Sequence, residues 1–330
     1  MPDSPPLSAM LDAVVPRDGR SHADFRRLIE QAQALPPMKT AVVHPCDEVS
    51  LESAVEAAKL GLILPILVGP SWRLRGVAER GGFDISGFEL VDSAHSHDSA
   101  AKGVELVRCG RAEALMKGSL HTDELMEAVV SREAGLRTAR RISHCFLMEV
   151  PGHETPLIVT DAAVNIAPTL AEKVDIVQNA IDMAHGVGMA EVRVAILSAV
   201  ETVNPNVPST IEAAALCKMA DRGQITGALL DGPLALDNAI NPEAAAVKGI
   251  VSPVAGRANV LVAPDLESAN MLAKSLSFLA GADAAGIVLG ARAPIVLTSR
   301  ADSLLTRLAS CAVASLLAAA RRTDPAAAIR

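Results

Sequence analysis

Short apolar runs alternate with longer amphipathic segments along the first half of the chain. TAVVHP (40–45), LPILVGP (64–70), FELVDSA (88–94) and EALMKGS (113–119) have the length and composition of strands. Helical patterns lie between them, for example EVSLESAVEAAKLG (48–61). Because strands separated by helices form βαβ units, this alternation predicts a parallel sheet.

A pair of neighbouring apolar runs interrupts the alternation near the middle of the chain. SHCFLMEV (143–150) and LIVTDAA (157–163) are consecutive strand-like runs, and only PGHETP separates them. Two strands joined by so short a break form an antiparallel hairpin. We interpret this hairpin as the crossing between two domains.

Capping signals mark the helices of a second alternating block. Thr169 and Glu172 have the spacing of a capping box at the start of a helix that ends at Gly188. Ser209 and Glu212 repeat this spacing before the next helical pattern. Strand-like runs again separate the helices: VRVAILSAV, GALLDGP, NVLVAPD and GIVLGARAPIVLTSR. The predicted fold class is therefore α/β, with two domains built on parallel sheets.

The composition restricts the classes of function. Half of the 330 residues are hydrophobic, 2% are aromatic and none is Tyr, so the core must consist of aliphatic side chains. A formal charge of −8 argues against a general nucleic-acid binder, which needs a basic surface. Five scattered Cys without CxxC spacing indicate reduced thiols rather than a disulfide framework or a zinc site.

We predict a cytoplasmic location, since no segment has the pattern of an export or membrane sequence. The first twenty residues mix Pro with acidic residues and lack the apolar core of a signal peptide. LASCAVASLLAAA (308–320) is apolar, but it is too short and too rich in small residues to span a bilayer. We expect this run to be a buried helix.

The common nucleotide, metal and hydrolase motifs are missing. The sequence has no GxGxxG after its first strand, no GxxxxGK[ST], no HExxH and no GxSxG. The eight His are dispersed and form no cluster with Cys. A nicotinamide enzyme and a P-loop kinase are therefore disfavoured, and we predict neither a metal site nor a tightly bound cofactor.

Polar residues cluster instead where the predicted strands end. Ligands of open parallel sheets bind beyond the carboxyl ends of the strands, so these residues predict a binding site, although each stretch taken alone also fits a turn or a helix cap. KGSLHT precedes a helix whose N–H groups and dipole attract anions. TSRADS does the same before the last helix, with Asp302 at its expected cap. The candidate residues in the two stretches are Lys117, Gly118, Ser119, His121, Thr122, Ser299, Arg300 and Asp302.

The stretch DGPLALDN (231–238) raises the same choice between a turn and a site. We predict that Asp231 ends a strand, that Gly232 and Pro233 turn the chain, and that Asp237 begins the next segment. Placement at a strand end favours a wall that lines substrate, and a plain turn remains the alternative.

Several long motifs, in order, resemble the phosphate acetyl/butyryltransferase family. They are KGSLHTDEL, RISHCFLMEVPG, IVTDAAVNIAPTLAEKVDIVQNAI, LLDGPLALDNAI and LTSRADS, and the likeness extends from about residue 40 to 320. The chain looks most similar to the acyltransferase half of bifunctional enoyl-CoA hydratase/phosphate acetyltransferases. The resemblance implies reversible transfer of a short acyl group between an acyl phosphate and coenzyme A, with inorganic phosphate as the other product.

The resemblance also implies an architecture like that of isocitrate and isopropylmalate dehydrogenases. Two α/β domains then face an interdomain cleft, and homodimers form through the second domain. The expected limits are an N-terminal extension (1–39), domain I (40–152 plus 298–330) and domain II (153–297).

The family mechanism is direct attack of the CoA thiol on the acyl carbonyl in a ternary complex. The resemblance assigns the phosphate leaving group to Ser299 and Arg300. Acetyltransferases of the family can use an acidic base six positions beyond that Arg, where this chain has Thr306. Asp302 is our substitute, with Asp161 and Asp231 in reserve.

Asn165 and Pro233 complete the expected substrate-binding set. Acetyl is the expected acyl group. Propionyl and butyryl stay open as alternatives, because Leu125 and Met126 stand where acetyl-specific members can carry an Arg. Two other functions stay open as well. One is a non-catalytic acetyl-CoA-binding regulatory module of the same fold, and the other is a decarboxylating dehydrogenase, for which the metal-binding aspartates are not identifiable.

Overall fold

The computed structural model describes residues 7–16, 18–298 and 302–323. The chain divides into two compact units: unit 1 consists of residues 1–140 and 285–330, and unit 2 of residues 141–284. Unit 1 is therefore discontinuous in sequence, whereas unit 2 is one continuous segment. The domain limits predicted after residue 152 and before residue 298 stay a prediction.

The strands of unit 1 form a mostly parallel sheet in the order β3-β2-β1-β4-β11-β10. Only the β10–β11 pair in this part of the sheet is antiparallel. Ala41, Val42 and Val43 of β1 are all fully buried, as expected for a parallel strand covered on both faces. The strands are β1 (Met38–Val43), β2 (Ile63–Gly69), β3 (Glu89–Asp92), β4 (Ala114–Lys117), β10 (Asp283–Leu289) and β11 (Ile295–Val296).

Helices connect and cover these strands. They are α1 (Leu7–Val14), α2 (Ala23–Gln33), α3 (Glu48–Lys59), α4 (Ser71–Gly81), α5 (Ser96–Arg108), α6 (Thr122–Val130) and α12 (Leu304–Thr323). The predicted alternation of strand and helix from residue 40 onward is confirmed.

Helix α12 is longer than its apolar run suggested. The run 308–320 was expected to be too short for a bilayer, but the helix has 20 residues because it continues through polar residues at both ends. By length and composition alone, Leu304–Arg322 could cross a membrane, and it is the one such helix in the described part of the chain. However, 72% of it is buried inside the protein, where α12 packs on α2 and α3. The predicted buried helix is confirmed.

The strands of unit 2 are mostly parallel and follow the order β5-β6-β9-β7-β8. β5 and β6 pair antiparallel through Cys145–Met148 and Leu157–Thr160, which confirms the predicted hairpin, and both strands belong to unit 2. The other pairs are parallel. The elements are β5 (Ser143–Glu149), β6 (Leu157–Thr160), α7 (Leu170–Gly186), β7 (Arg193–Leu197), α8 (Pro208–Asp221), β8 (Leu229–Leu234), α9 (Leu236–Ile240), α10 (Pro242–Val247), β9 (Val260–Val262) and α11 (Leu266–Leu279).

One of the two predicted capping boxes is present. The Thr169 N–H donates to Glu172 Oε2 at 2.9 Å, and the Glu172 N–H returns a bond to Thr169 Oγ1 at 3.4 Å. The box predicted at Ser209 and Glu212 is wrong. Pro208 occupies the first turn of α8, because its fixed φ suits that position, and the helix therefore begins before Ser209.

The side chains of the second predicted box have other partners. Ser209 Oγ lies 2.8 Å from Ser198 Oγ. The Glu212 carboxylate accepts a bond from Lys173, whose side chain is almost fully buried. Glu212 therefore joins α8 to α7 rather than capping its own helix.

The strand predicted to end at Asp231 continues to Leu234. Gly232 and Pro233 lie inside β8, so the turn predicted at these two residues is wrong. β8 is the last strand in the order and pairs with β7, and an edge strand tolerates a Pro that lacks an N–H. A Cβ on Gly232 would stand 2.7 Å from the Ile196 carbonyl oxygen, so the close approach to β7 requires glycine here.

Candidate functional site

The loop that follows β4 is held against the end of β1. The Gly118 N–H donates to the Val43 carbonyl at 2.8 Å, and the Ser119 N–H donates to the His44 carbonyl at 2.9 Å. A Cβ on Gly118 would stand 2.5 Å from the Val43 oxygen and 2.6 Å from the His44 carbonyl carbon. Only glycine fits this approach, which places the next residues directly beyond two neighbouring strand ends.

Ser119 joins this loop to the segment after β1. Its hydroxyl donates to the His44 carbonyl at 2.8 Å and accepts from the Cys46 N–H at 3.3 Å. The hydroxyl predicted to contact an anion is thus already used twice within unit 1. Its role in substrate binding stays a prediction.

His44 was missed by the sequence reasoning, although it follows the first strand directly. It has a φ of 56°, in the left-handed region, and its ring is buried with Nδ1 2.8 Å from Ser99 Oγ. Burial lowers the pKa of the imidazole, which keeps the ring neutral at neutral pH. His44 therefore supports the loop through its carbonyl rather than through its charge.

A small pocket opens beside Lys117, at the carboxyl end of β4. Only about 10 Å³ of it admits the centre of a water molecule. Lys117 is 8% exposed and donates to the Gly118 carbonyl at 3.1 Å. The side of the pocket formed by α3 contains Asp47, the N-cap of that helix, whose Oδ1 accepts from the Ser50 N–H at 2.8 Å. The pocket lies at a strand end, and a binding role for Lys117 stays a prediction.

Arg307 of α12 reaches the same pocket and was not expected there. The side chain is 7% exposed, and its Nε and Nη1 have no hydrogen-bond partner among the described residues. Burial lowers the pKa of the guanidinium, while the carboxylates of Glu52, Asp302 and Asp47 oppose that shift. The available signal was a single Arg within an otherwise apolar helical run, LLTRLAS.

The start of α6 already holds a carboxylate of its own. The His121 N–H donates to Glu124 Oε2 at 2.9 Å, and Ser96 Oγ donates to Glu124 Oε1 at 2.7 Å. The Ser96 bond, followed by the His121 bond, lowers the pKa of Glu124. An external anion at this helix start would meet that charge. His121 is exposed and Thr122 is half-buried, and their binding role stays a prediction.

The beginning of α12 is described only in part. Ser299 and Arg300 lie outside the described residues. The helix cap predicted at Asp302 is wrong, because the Thr306 N–H donates to Ser303 Oγ at 3.1 Å and Ser303 is the residue that precedes Leu304. Asp302 is half-buried, one residue before the cap. Thr306 is buried and bonded to Ser303, in keeping with its exclusion as a base.

Asp161 and Asn165 form a bonded pair in unit 2. Asp161 is 3% exposed, and its two oxygens accept from the N–H groups of His144, Ala163, Val164 and Asn165 at 3.0–3.1 Å. Asn165 Nδ2 adds a fifth bond at 2.5 Å, and Asn165 Oδ1 accepts from Arg141 Nε at 2.6 Å. Burial raises the pKa of Asp161, and its N–H donors oppose that shift. The pair organises the turn after β6.

Asp231 and Pro233 lie on β8, the edge strand of the same sheet. Asp231 is half-buried and accepts from the Gly232 N–H at 2.8 Å, and Pro233 is buried. β9 and β7 separate their strand from β6, so the Asp161 and Asp231 backbones are roughly 14 Å apart at the usual strand spacing. The structure does not bring the two carboxylates together. Their roles in binding stay predictions.

Within residues 7–16, 18–298 and 302–323, no group of three or more His, Cys, Asp or Glu side chains could hold a metal ion. The site contains instead two buried cations, Lys117 and Arg307, at the carboxyl end of a parallel sheet. A site of this kind suits an anionic substrate.

Comparison with known proteins identifies the class to which this arrangement belongs. A family model described as Phosphate acetyl/butaryl transferase matches residues 93–315, more than half of the chain. The chain belongs to this family of acyltransferase enzymes, as the sequence motifs predicted.

Individual relatives make the match more specific. A phosphate acetyltransferase of Rhizobium meliloti is 64% identical over 305 residues, which cover 92% of this chain and 96% of the relative. A phosphate butyryltransferase of Clostridium acetobutylicum is 41% identical over 294 residues, covering 89% and 98%. The crystal structure of a phosphotransacetylase from Streptococcus pyogenes has a TM-score of 0.78 at 25% identity, covering 91% and 99%. The predicted α/β fold class is confirmed.

Proposed function

We propose that the protein transfers an acetyl group reversibly between acetyl phosphate and coenzyme A. The observation that carries this proposal is the 64% identity, over 92% of the chain, to a phosphate acetyltransferase. The 41% identity to a butyryltransferase supports the same reaction with a longer acyl group, so propionyl and butyryl phosphate belong in the test. Coenzyme A, acyl phosphate and inorganic phosphate are then the substrates, with no tightly bound cofactor.

The proposed chemistry is one direct displacement in a ternary complex. The CoA sulfur forms a bond to the acyl carbon, the bond from that carbon to the phosphate oxygen breaks, and inorganic phosphate leaves. A thiol with a pKa of about 8.5 is mostly protonated at neutral pH, so a nearby base must accept its proton. We assign this role to Asp302, which precedes α12 and whose charge acts on Arg307 in the pocket.

The phosphate group needs fixed donors in a dry environment, because charge develops on it as it leaves. We assign Ser299 and Arg300 to this task from the family motif. Lys117 supports the assignment, since it is a buried cation where β4 ends and a charge at low dielectric interacts strongly. Gly118, Ser119, His121 and Thr122 extend the same loop and complete the proposed phosphate-binding set.

Unit 2 supplies the remaining proposed contacts. Asp161, Asn165, Asp231 and Pro233 are assigned to the substrate-binding surface, and the turn held by the Asp161–Asn165 pair provides a rigid support for it. Changing Asp231 to Asn should raise the KM for CoA or acyl phosphate. Unchanged kinetics would remove Asp231 from this set.

We also propose a homodimer formed through unit 2 and a cytoplasmic location. Several large apolar side chains of unit 2 are exposed, among them Phe278 and Leu279 at the end of α11 and Val251. A second copy would cover such side chains. The five free thiols suit a reducing compartment. Light scattering of the wild type and of Phe278→Lys tests the dimer, and an unchanged monomer mass for both would exclude it.

The alternative function is a regulatory module that binds acetyl-CoA without turnover. The decisive experiment follows thioester absorbance after purified protein is mixed with CoA and acetyl, propionyl or butyryl phosphate. Turnover with one preferred acyl group is expected, and binding of CoA without any thioester would favour the regulatory module.

Two variants test the assigned residues. Arg300→Ala should lose most of the turnover, and Asp302→Asn should flatten the rise of rate with pH. Arg75→Ala serves as the control, because Arg75 is an exposed arginine on α4. Near-normal turnover of Arg300→Ala would remove the phosphate assignment. An unchanged pH profile of Asp302→Asn would remove the base.

A further inference from the structure

Arg307 is a buried guanidinium at a place where the fold provides little compensation. Its side chain is 7% exposed, yet Nε and Nη1 lack a hydrogen-bond partner within the described ranges. An arginine stays charged in a protein, and buried N–H donors without hydrogen-bond partners are unfavourable. Such a residue in the first turn of α12 therefore needs an explanation that packing alone does not give.

The pocket around Arg307 has the features of an anion site. Lys117 provides a second buried cation, and Val49 and Ser50 of the first turn of α3 form another part of the wall. Thr298 closes the side that follows β11. The pocket lies where β4 and β11 end, which is where ligands of parallel sheets bind.

One carboxylate also lines the pocket and must be included in the charge balance. Asp47 Oδ1 already accepts from the Ser50 N–H at 2.8 Å and from Ser50 Oγ at 2.6 Å. Glu52 and Asp302 also act on Arg307 electrostatically, but neither is among the residues that line the pocket. Two cations against one capping carboxylate leave the wall of the pocket with a net positive charge.

We propose that Arg307 is a binding residue for the phosphate group of the acyl phosphate and for inorganic phosphate. This inference rests on the proposed function and adds to it a residue seven positions beyond Arg300. The pocket admits about one water-sized group, so one phosphate oxygen enters it and contacts Arg307, while the other oxygens stay at the mouth near Lys117. Binding supplies hydrogen-bond acceptors for Nε and Nη1, which have none among the described residues.

If Arg307 binds phosphate, its effect on the stability of the fold and its effect on phosphate affinity can be measured separately. Without phosphate, the unsatisfied N–H groups of Arg307 carry a desolvation cost, which an apolar side chain of similar size removes. With phosphate, the same residue contributes affinity through charge-assisted hydrogen bonds. It does not contact CoA, so its loss should change the kinetics of one substrate only.

The experiment compares Arg307→Met with the wild type and with Arg75→Met, the same substitution at an exposed position of α4. Thermal melting is measured without and with inorganic phosphate, against chloride at equal ionic strength. We expect phosphate to raise the Tm of the wild type and of Arg75→Met. In Arg307→Met the starting Tm should be equal or higher and most of the rise should be lost.

Kinetics provide the second readout. The KM for acyl phosphate of Arg307→Met should rise by roughly 10- to 100-fold, as expected for loss of a charged hydrogen-bond donor, while the KM for CoA stays within about twofold. If Arg307→Met does not fold, Arg307→Lys keeps the charge but removes the planar donors, and its KM for acyl phosphate should still rise severalfold.

The outcomes distinguish this inference from the proposed function. A wild type that makes no thioester, but whose phosphate-induced rise in Tm disappears in Arg307→Met, would refute the function and keep the anion site. A wild type that turns over, with an unchanged KM for acyl phosphate in Arg307→Met or Arg307→Lys, would refute the role of Arg307 alone. A lowered Tm of Arg307→Met with the full phosphate response would make Arg307 a structural residue.

Discussion

Gly118→Ala tests whether the contact between β1 and β4 holds the loop that carries Lys117 and Ser119. The added Cβ would stand 2.5 Å from the Val43 carbonyl oxygen and 2.6 Å from both the carbon and the oxygen of the His44 carbonyl. All of these are backbone atoms, so no flexible side chain can move aside. The strand ends themselves must separate to admit one methyl group.

Separation of the strand ends lowers the free energy of unfolding, because it disturbs close packing and two backbone hydrogen bonds. Extra volume in a closely packed region costs about 1–3 kcal/mol. The backbone bonds from Gly118 to Val43 and from Ser119 to His44 lengthen from 2.8 and 2.9 Å, and each contributes about 1 kcal/mol. We expect the free energy of unfolding to fall by about 2–4 kcal/mol. For a unit of this size that corresponds to a decrease in Tm of about 5–15 °C.

The assay combines thermal melting with kinetics below the melting range. Gly87→Ala is the matched control, because a Cβ on this loop glycine would meet no described atom within 4 Å. Its Tm should stay close to that of the wild type. Gly118→Ala should also raise the KM for acyl phosphate, since displacement of the loop moves Lys117.

Two outcomes would refute this reasoning. If Gly118→Ala melts together with Gly87→Ala, the β1–β4 contact yields easily and does not position the loop. If its stability falls as expected but the KM for acyl phosphate is unchanged, the loop is a structural element and Lys117 does not contribute to binding.

Two further predictions concern pH. Burial lowers the pKa of His144 to about 3, below the unfolded value of about 6.5, so the unfolded chain takes up the proton first. The free energy of unfolding should therefore fall as pH drops from about 6.5 towards 3. Urea unfolding at several pH values should show a weaker fall for His144→Leu than for the wild type. An equal fall in both proteins would exclude His144 as the cause of the pH dependence. The pKa of Glu124 is lowered by the Ser96 and His121 bonds, so its contribution is present above its unfolded pKa of about 4.3 and is lost as pH falls through the folded value. Glu124→Gln should lose about 1 kcal/mol of stability at pH 7, and the difference from the wild type should shrink below about pH 4; a constant difference would contradict the assignment.

Local signals in the sequence predicted the architecture well. The alternation of strand and helix, the β5–β6 hairpin and the capping box of Thr169 and Glu172 all depend on residues close together in the chain. Tertiary contacts rarely override such features when the hydrophobic periodicity and the helix-capping residues indicate the same element. The strand end at Lys117 was predictable for the same reason.

The errors arose where tertiary contacts decide the outcome. Asp-Gly-Pro is a strong turn signal, but β8 lies at a sheet edge, where Pro233 removes no necessary hydrogen bond. Glu212 has capping-box spacing, yet its partner is Lys173 on another helix. In both cases a neighbouring element decided the outcome, and the local sequence did not reveal which element that would be.

The candidate site depends even more on tertiary contacts that the sequence does not reveal. The sequence indicated Lys117 because it stands at a strand end, whereas Arg307 lies within an apolar helix and reaches the pocket only through the packing of α12. His44 supports the loop through a backbone carbonyl, which no residue preference reveals. Contacts of this kind become visible only when strands distant in sequence are neighbours in space.

The division of unit 1 between the two ends of the chain has a consequence for biosynthesis. β4 pairs with β11 and α2 packs on α12, so the N-terminal segment lacks its partners until the final helix has left the ribosome. At typical translation rates this wait lasts roughly 10–40 s, during which the whole of unit 2, continuous from Arg141 to Ala284, has emerged and is able to fold. The free edge of β4 and the uncovered face of α2 are meanwhile exposed to solvent, and they are the segments that a nascent-chain chaperone would bind.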